Sequence, residues 1–506
     1  MALATQLPGE PPGWASRGTA EPRRDIKITR GAIEACLTAS GVPIDIPGTP
    51  DYTRDVEAFN VRLPYTPTAI ARVGSTAHIQ KAVQCAKKLN IKASAKSGGH
   101  SYASFGFGGE DGHLVIQLDR MIDVTSYDAK TGVVHVQPGA RLGHLATVLA
   151  EKYGRAISHG TCPGVGISGH FAHGGFGFSS HMHGLAVDSV VGATVVLADG
   201  RIVEANAKEN SDLFWGIKGA GSNFGIVAVW KLATFETPKV LTRFGVTLNW
   251  NENNTVQGIE AVEDYVHWTA PREVNFRVGA YKGDANIEGL YYGTPEQWRK
   301  AFQPLLNKLP AGYVVNPTQS LDWLKVQLSY SNFDHIDFTG PQPVENFYAK
   351  SLAIKSIKGQ AVRNFVDYYW KVARQITNQN QPERFWFYQL DVHGGVNSQI
   401  SKISNDQTSY PHRDKLFLMQ FYDRYDNNVT YPDTSFKFLD GWVNSITKAQ
   451  DKNDWGMYIN YADPRMDRET ATKNYYGVNL PRLEKIKAKF DPTDRFYYPQ
   501  AVIPRK

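Results

Sequence analysis

Apolar and polar residues follow two different periods in the first half of the chain. Helical spacing of apolar residues from Ile79 to Leu89, behind a Ser/Thr cap, predicts a helix over STAHIQKAVQCAKKLN, and a second helix is predicted over RLGHLATVLAEKYG. Strand patterns cover IKASAKSGG, HLVIQLDRM and GVVHVQPGA, and a hairpin turning at Asp199 and Gly200 is predicted over VVGATVVLADGRIVEA. We therefore expect residues 65–238 to form an α+β unit.

The pattern changes after about residue 240, where long aromatic strands predominate. Strands are predicted over RFGVTLNW, NFRVGAYK, IEGLYYGT, RFWFYQLDVH and KLFLMQFYD, with helices such as EQWRKAFQPLLNKL and GQAVRNFVDYYWKVARQI between them. Several strands with helices on one face are typical of a largely antiparallel α+β domain. The fold class expected for the whole chain is α+β.

The composition and net charge of the chain indicate which class of ligand it binds. The 506 residues, 42% of them hydrophobic, are enough to bury a large core and to form more than one domain. The net charge of +6 comes without a run of five or more like charges, so a nucleic-acid partner is not expected. No stretch approaches the ~20 consecutive apolar residues of a membrane span. We expect a soluble, monomeric protein that binds small molecules.

Three features of the sequence indicate the cellular compartment of the protein: the N-terminus, the glycosylation sequons and the cysteines. Residues 1–30 are rich in Pro and Gly, lack the apolar core of a signal peptide and are expected to be a flexible tail, a propeptide remnant or a leader. Sequons at Asn253 and Asn428 fit a secreted protein. Of the three cysteines, Cys36 and Cys85 lie early, which leaves Cys162 unmatched. A bond between the first two would add about 2–4 kcal/mol.

Two glycine-rich segments hold the reactive residues of the first half. They are KSGGHSYASFGFGG, which contains His100, and HGTCPGVGISGHFAHGGFGFSSHMHGLAVDS, which contains Cys162. Glycine lets the backbone approach a ligand, and successive N–H groups form an anion site suited to a pyrophosphate. A Walker pattern or a G-x-G-x-x-G in a βαβ unit is missing, which disfavours a nucleoside triphosphate or a Rossmann dinucleotide. The histidines lack the paired spacing of a zinc site, so no metal is expected.

These two segments, together with SDLFWGIKGAGSNFGIV and FDPTDRFYYPQAV, resemble the vanillyl-alcohol-oxidase flavoprotein superfamily and its berberine-bridge-like branch. Within that branch the chain is similar to the fungal oligosaccharide oxidases from about residue 31 to the end. The resemblance implies an FAD-binding domain of the PCMH type over residues 31–238 and an α+β substrate-binding domain with a large antiparallel sheet over residues 239–455. It also implies that residues 456–506 return to the FAD domain.

The same resemblance implies how FAD is held. His100 would bond the flavin 8α-methyl group and Cys162 the flavin C6, so that two covalent links hold the cofactor. Val165 matches a position where a small side chain accompanies oxygen access to the flavin, which favours an oxidase. The other FAD-contacting positions implied by the match are Gly98, Gly99, Ser101, Gly169, His170, Gly174, Gly175, Ile226 and Val227.

A strand in the second half indicates the substrate side. On RFWFYQLDVH, the side chains of Phe387, Gln389 and Asp391 share one face, and an aromatic ring, an amide and a carboxylate together suit a sugar. The resemblance implies that Tyr461 is the general base and that Asp391 is its partner. A partner is needed because a phenol, with a pKa of about 10, acts as a base near neutrality only if a relay takes its proton or its anion is stabilised. Gly279 stands where some relatives carry an acidic sugar contact, which leaves the sugar preference open. The substrate contacts implied by the match are Tyr102, Arg277, Phe387, Gln389 and Gln420.

The reaction implied by the resemblance is oxidation of the C1 hydroxyl of reducing sugars, such as cellobiose, lactose and related mono- and oligosaccharides, to a lactone that hydrolyses to the aldonic acid, with reduction of O₂ to H₂O₂. A berberine-bridge-like oxidase of alcohols or alkaloids would use the same fold with a different pocket, and the polar strand faces argue against it. A lectin-like module without chemistry would have no use for two flavin-attachment motifs.

Overall fold

The computed structural model describes residues 24–505 apart from residues 332 and 341. Its first helix, Arg24–Ala39, takes in part of the segment predicted as a flexible tail, while residues 1–23 of that tail lie outside the described residues. The helix is anchored because Ile33 and Leu37 are buried and because Arg30 Nε donates a hydrogen bond to Thr68 O (3.0 Å).

Residues up to 236 form two main sheets with helices packed on them. The strands are β1 Ile44–Asp45, β2 Ala69–Arg72, β3 Ala93–Lys96, β4 Leu114–Gln117, β5 Val124–Asp128, β6 Val133–Val136, β7 Arg155–Ala156, β8 Val190–Leu197, β9 Ile202–Asn206, β10 Gly225–Ala233 and β11 Phe235–Glu236. The helices are α1 Arg24–Ala39, α2 Tyr52–Val56, α3 Thr76–Lys88, α4 Leu142–Tyr153, α5 Ile167–Ala172, α6 Ser180–His183 and α7 Ser211–Ala220.

The first sheet has four strands in the order β1-β2-β4-β3, with β4 parallel to β2 and β3. The second has five antiparallel strands in the order β5-β6-β10-β8-β9 and includes the predicted hairpin. Helix α3 forms where it was predicted, because Ser75 Oγ accepts a hydrogen bond from His78 N (3.2 Å) and the apolar stripe faces the core. A disulfide between Cys36 and Cys85 joins α1 to α3, as considered from the sequence.

Residues 241–456 form a nine-stranded antiparallel sheet covered by helices. Its strands are β12 Leu241–Thr247, β13 Val274–Tyr281, β14 Ala285–Tyr291, β15 Val314–Val315, β16 Gln319–Leu321, β17 Asn346–Ile354, β18 Arg384–Val392, β19 Phe417–Tyr425 and β20 Trp455–Gly456. Their order is β15-β12-β14-β13-β18-β19-β17-β20, with β16 also paired to β12. The helices are α8 Glu252–Trp268, α9 Pro295–Leu306, α10 Trp323–Tyr330, α11 Gln360–Lys371 and α12 Asp433–Thr447. This confirms the expected α+β class and its large antiparallel sheet.

Strand β18 shows why the two faces of this sheet differ. Trp386 and Tyr388 are buried on one face, where their rings contact Trp442 of α12 and Phe365 of α11. The intervening Gln389 lies on the other face and lines a cavity, as the alternation along the strand predicted. One face therefore builds the core and the other is free to bind a ligand.

The C-terminal residues pack back onto the first part of the chain. They form α13 Arg468–Tyr476 and α14 Leu480–Phe490. Lys487 of α14 is fully buried, and its Nζ donates hydrogen bonds to Asn223 O (2.8 Å) and to the Asp491 carboxylate (2.7 Å). None of the described helices is long and apolar enough to cross a membrane.

Candidate active site

A cavity of about 830 Å³ is lined by residues from both halves of the chain. The glycine-rich segments contribute one wall, and the polar face of β13, β18 and β19 contributes another. Tyr461, in the short 3-10 turn Ile459–Tyr461, also lines it. Most of the residues that the sequence assigned to cofactor and substrate therefore line one cavity.

The two glycine-rich segments touch each other through their backbones. A Cβ atom added to Gly98 would lie 2.2 Å from Gly166 N, and one added to Gly166 would lie 2.1 Å from Gly98 N. Because neither backbone can move away without breaking its own loop, both positions require glycine. This contact brings His100 and Cys162 to the same cavity.

His100 and Cys162 differ in charge state and surroundings. The His100 ring stacks on Phe59 with centroids 4.3 Å apart, and burial, with Arg141 nearby, lowers its pKa to about 3, so the imidazole is neutral. Cys162 is exposed on the side of the cavity, with Sγ 3.5 Å from Gln342 Oε1, and the protein atoms on its other sides partly desolvate it. That desolvation, together with Glu345, raises the pKa of the Cys162 thiol to about 11.

Most of the predicted cofactor contacts line the cavity, and two do not. A Cβ added to Gly169 would meet no described atom within 4 Å, so open space faces this residue, as a bound group would need. Gly174 and Gly175 instead lie behind the wall, packed against Tyr410 and Ala186, and their positive φ angles of 120° and 79° explain why they are glycines. The predicted residues that line the cavity are His100, Cys162, Gly98, Gly99, Ser101, Val165, Gly169, His170, Ile226 and Val227.

Asp391 is a buried carboxylate held by a cross-strand cation. Arg277 on β13 faces it in register, with Nε 3.1 Å from Asp391 Oδ1, and Glu288 Oε1 lies 3.8 Å from the same nitrogen. Burial raises the pKa of Asp391 to about 6, against the lowering effect of Arg277. A pKa of about 6 suits a carboxylate that exchanges a proton near neutrality.

Tyr461 lies between two other tyrosines. Its ring stacks on Tyr102 (centroids 5.6 Å apart, 18° between planes) and meets Tyr458 edge-on (5.2 Å). Burial, and then the negative charge of Asp391, raise the pKa of Tyr461 well above its usual range. The phenol consequently gives up its proton only if a nearby group accepts it, and Asp391 lines the same cavity.

The remaining predicted substrate contacts form a polar and aromatic surface. Gln420 Nε2 donates to Tyr102 OH (2.9 Å), and Gln389 Nε2 donates to Tyr281 OH (2.9 Å). Phe387 stacks on Tyr422 with centroids 4.8 Å apart and 10° between the ring planes. Tyr102, Arg277, Phe387, Gln389 and Gln420 all line the cavity.

Sequence reasoning missed several lining residues. Tyr281 lies four residues after Arg277 on β13, so strand alternation could have placed it on the same face. Gly279 lies between them, and a Cβ there would make a tight contact, 3.1 Å from Tyr388 O. Gln342 lies in an irregular segment, where no period points to it.

Comparisons with known proteins decide the family. Residues 67–206 match the family model described as FAD binding domain, and residues 457–503 match Berberine and berberine like. The carbohydrate oxidase of Microdochium nivale is 78% identical over 484 residues, which is 95% of this chain and 97% of the relative. The chain belongs to the FAD-linked carbohydrate oxidases.

Solved structures of this oxidase family have the same fold. The crystal structure of the Microdochium nivale carbohydrate oxidase with a substrate analogue superposes with a TM-score of 0.92 at 79% identity, covering 94% of this chain and all (100%) of that one. The glucooligosaccharide oxidase of Acremonium strictum, with a 6-S-cysteinyl, 8α-N1-histidyl FAD, superposes with a TM-score of 0.90 at 41% identity, covering 94% and 99%. FAD is thus the cofactor, as the sequence implied, and the superfamily fold is confirmed.

Proposed function

We propose that this protein oxidises the C1 hydroxyl of reducing sugars, such as cellobiose, lactose and related oligosaccharides, to a lactone and reduces O₂ to H₂O₂. The observation that carries the proposal is that two pairs of residues, His100 with Cys162 and Tyr461 with Asp391, line one cavity. The first pair suits covalent attachment of a flavin, and the second suits removal of a hydroxyl proton.

His100 and Cys162 would hold the FAD covalently. The neutral imidazole of His100 has a lone pair for a bond to the 8α-methyl carbon, and Cys162 presents its sulfur to the same space. The open space facing Gly169, and the glycine contact that lets the two loops meet, fit a flat ring and its pyrophosphate. When bound, FAD supplies the acceptor for the hydride of the sugar C1 and passes the two electrons to O₂.

Tyr461 and Asp391 would move the hydroxyl proton. Tyr461 takes the proton of the C1 hydroxyl while its own proton passes to Asp391, so no free tyrosinate has to persist in the buried site. Arg277 holds the Asp391 carboxylate in place at 3.1 Å and keeps it ionised against the effect of burial. Burial excludes water, which makes this relay the available path for the proton.

The sheet face would bind the sugar. Gln389, Gln420 and Tyr102 offer amide and phenol groups for sugar hydroxyls, and Arg277 adds a donor. The Phe387 ring offers an apolar surface for a sugar ring. This density of hydrogen-bonding groups favours a carbohydrate over the alcohols or alkaloids of a berberine-bridge-like oxidase.

We also propose that Val165 keeps a path for O₂ to the flavin and that the protein acts as a secreted monomer. Val165 lines the cavity beside the Cys162 segment. Secretion is supported by the Cys36–Cys85 disulfide and by the exposed sequon residues Asn253 and Asn428.

A panel of sugars assayed by peroxide release and oxygen consumption tests the reaction. Cellobiose or lactose should give peroxide, whereas activity only with a dye acceptor would show a dehydrogenase, and activity on alkaloids without sugars would favour the alternative enzyme. Mass spectrometry of the denatured protein tests the attachment. His100→Ala and Cys162→Ala should each keep one link, and release of flavin from the unfolded wild type would refute covalent attachment.

A further inference from the structure

One buried cation joins the two loops that carry His100 and Cys162. Arg141, directly before α4, is 4% exposed, and its Nη1 donates hydrogen bonds to Gly98 O (3.2 Å) and to Gly164 O. Gly98 stands two residues before His100, and Gly164 stands two residues after Cys162. A single guanidinium group therefore fixes both segments that lead to the attachment residues.

The backbone beside Arg141 keeps this arrangement rigid. Leu142 N donates to Val165 O (2.9 Å), and Gly143 N donates to Pro163 O (2.9 Å), so the Cys162 loop is paired with the start of α4. Arg141 then extends from that paired segment to the loop of His100. The side chain therefore adds a second link between the two loops, beside the direct backbone contact of Gly98 with Gly166.

The charge of Arg141 acts on both attachment residues in the direction that bond formation requires. It lowers the pKa of His100 beyond the effect of burial, which keeps the imidazole neutral and nucleophilic. It also opposes the effects of burial and of Glu345 on the Cys162 thiol, and so favours the thiolate. Neutral imidazole and thiolate are the forms that attack carbon.

We propose that Arg141 is a positioning residue for the covalent attachment of FAD at both His100 and Cys162. The inference rests on the proposed function, because it presupposes the two links. Each attachment replaces one hydrogen of the flavin and one of the protein by a single bond, and the two protons and two electrons released pass to O₂ to give H₂O₂. Arg141 acts through the Gly98 and Gly164 carbonyls and through its charge.

Two substitutions separate the effect of the Arg141 charge from that of its hydrogen bonds, and a third substitution provides the control. Arg141→Met removes both the charge and the hydrogen bonds, whereas Arg141→Lys keeps the charge but replaces the planar guanidinium group, whose Nη1 reaches both carbonyls, by an ammonium group on a different stem. The control is Arg155→Met, which removes a guanidinium group that donates to the Thr234 hydroxyl (2.9 Å) and carbonyl elsewhere in the same part of the fold.

The full-length proteins are expressed, denatured and digested, and the His100 and Cys162 peptides are weighed with and without flavin. Wild type and Arg155→Met should carry both links. In Arg141→Met both links should form about 10–100-fold more slowly, since misplacement by ~1 Å costs up to about 10²-fold, and Arg141→Lys should lie between. Complete linkage in Arg141→Met, or an equal loss in Arg155→Met, would overturn the proposal.

A pH rescue separates the role in attachment from a general loss of structure. Incubating Arg141→Met with FAD in air at pH 9 instead of pH 7 raises the thiolate fraction of Cys162 about 100-fold, so the cysteine link should recover while the histidine link does not. Equal recovery of both links, or of neither, contradicts the assigned role. If Arg141→Met does not fold, Arg141→Lys decides, and wild-type linkage rates in it overturn the proposal. Loss of flavin from denatured wild type would instead refute the covalent attachment in the proposed function, on which this inference rests.

Discussion

Asp391→Asn removes the proposed proton acceptor and keeps the shape of the side chain. The pKa of Asp391 is about 6, whereas burial and the charge of Asp391 hold the pKa of Tyr461 well above its usual range. A separate transfer of the proton from the phenol to the carboxylate is therefore strongly unfavourable. Proton transfer must therefore accompany loss of the sugar hydride, and without the carboxylate the positioned relay, worth about 10²–10⁴-fold, is lost.

The assay is anaerobic stopped-flow reduction of the fully loaded protein by cellobiose from about pH 4.5 to 9. Only ionised Asp391 accepts a proton, so the wild-type rate should rise about tenfold per pH unit below about pH 6 and level off above it. Asp391→Asn should lack this limb and be slower by about 10²–10⁴-fold near pH 6. Its defect should shrink toward pH 9, because a higher pH helps to ionise Tyr461.

A structural defect in Asp391→Asn would also slow flavin reduction and has to be distinguished from loss of the proton acceptor. Asp391→Asn leaves Arg277 without its partner at 3.1 Å, and breaking a buried ion pair can cost about 3–5 kcal/mol of folding free energy. The matched control is Asp423→Asn, which breaks the buried pair of Asp423 with Arg384 (2.7 Å) in the same sheet. Wild-type reduction rates and pH dependence in loaded Asp391→Asn, or an equal slowing in Asp423→Asn, would refute the reasoning.

Three further substitutions test other parts of the structure. Gly98→Ala should prevent the glycine segments from meeting and should lower flavin content and thermal stability, whereas Gly74→Ala, whose Cβ meets no described atom within 4 Å, should change neither. Cys36→Ser should lower the free energy of unfolding in denaturant by about 2–4 kcal/mol, and an unchanged midpoint would contradict this. Val165→Leu should slow reoxidation by O₂ and leave anaerobic reduction by sugar unchanged; equal slowing of both steps would indicate a general disturbance.

The parts of the structure that could be predicted are those in which the sequence has a periodic pattern or a recognisable motif. Alternation along β18 placed Gln389 and Asp391 on the ligand face, because one face of that strand is buried against helices. Strand β17 was not predicted, since it is buried at every position and contains Lys350, whose charge is paired with Asp440 and Asp463 (2.8 Å each). Arg141 was missed because a single arginine before a helix has no pattern, and its partners are backbone carbonyls far along the chain.

The bond between Cys36 and Cys85 has a consequence for the order of assembly. A disulfide forms in an oxidising environment, where an unpaired thiol is exposed to exchange. Both partners lie on α1 and α3 and precede Cys162 in the chain, so the two sulfurs that pair are synthesised before the third. Closure of their bond would leave the remaining thiol for the proposed bond to the flavin. The error to look for in a misassembled preparation is then a bond from Cys162 to Cys36 or Cys85, in protein that has no flavin at the cysteine.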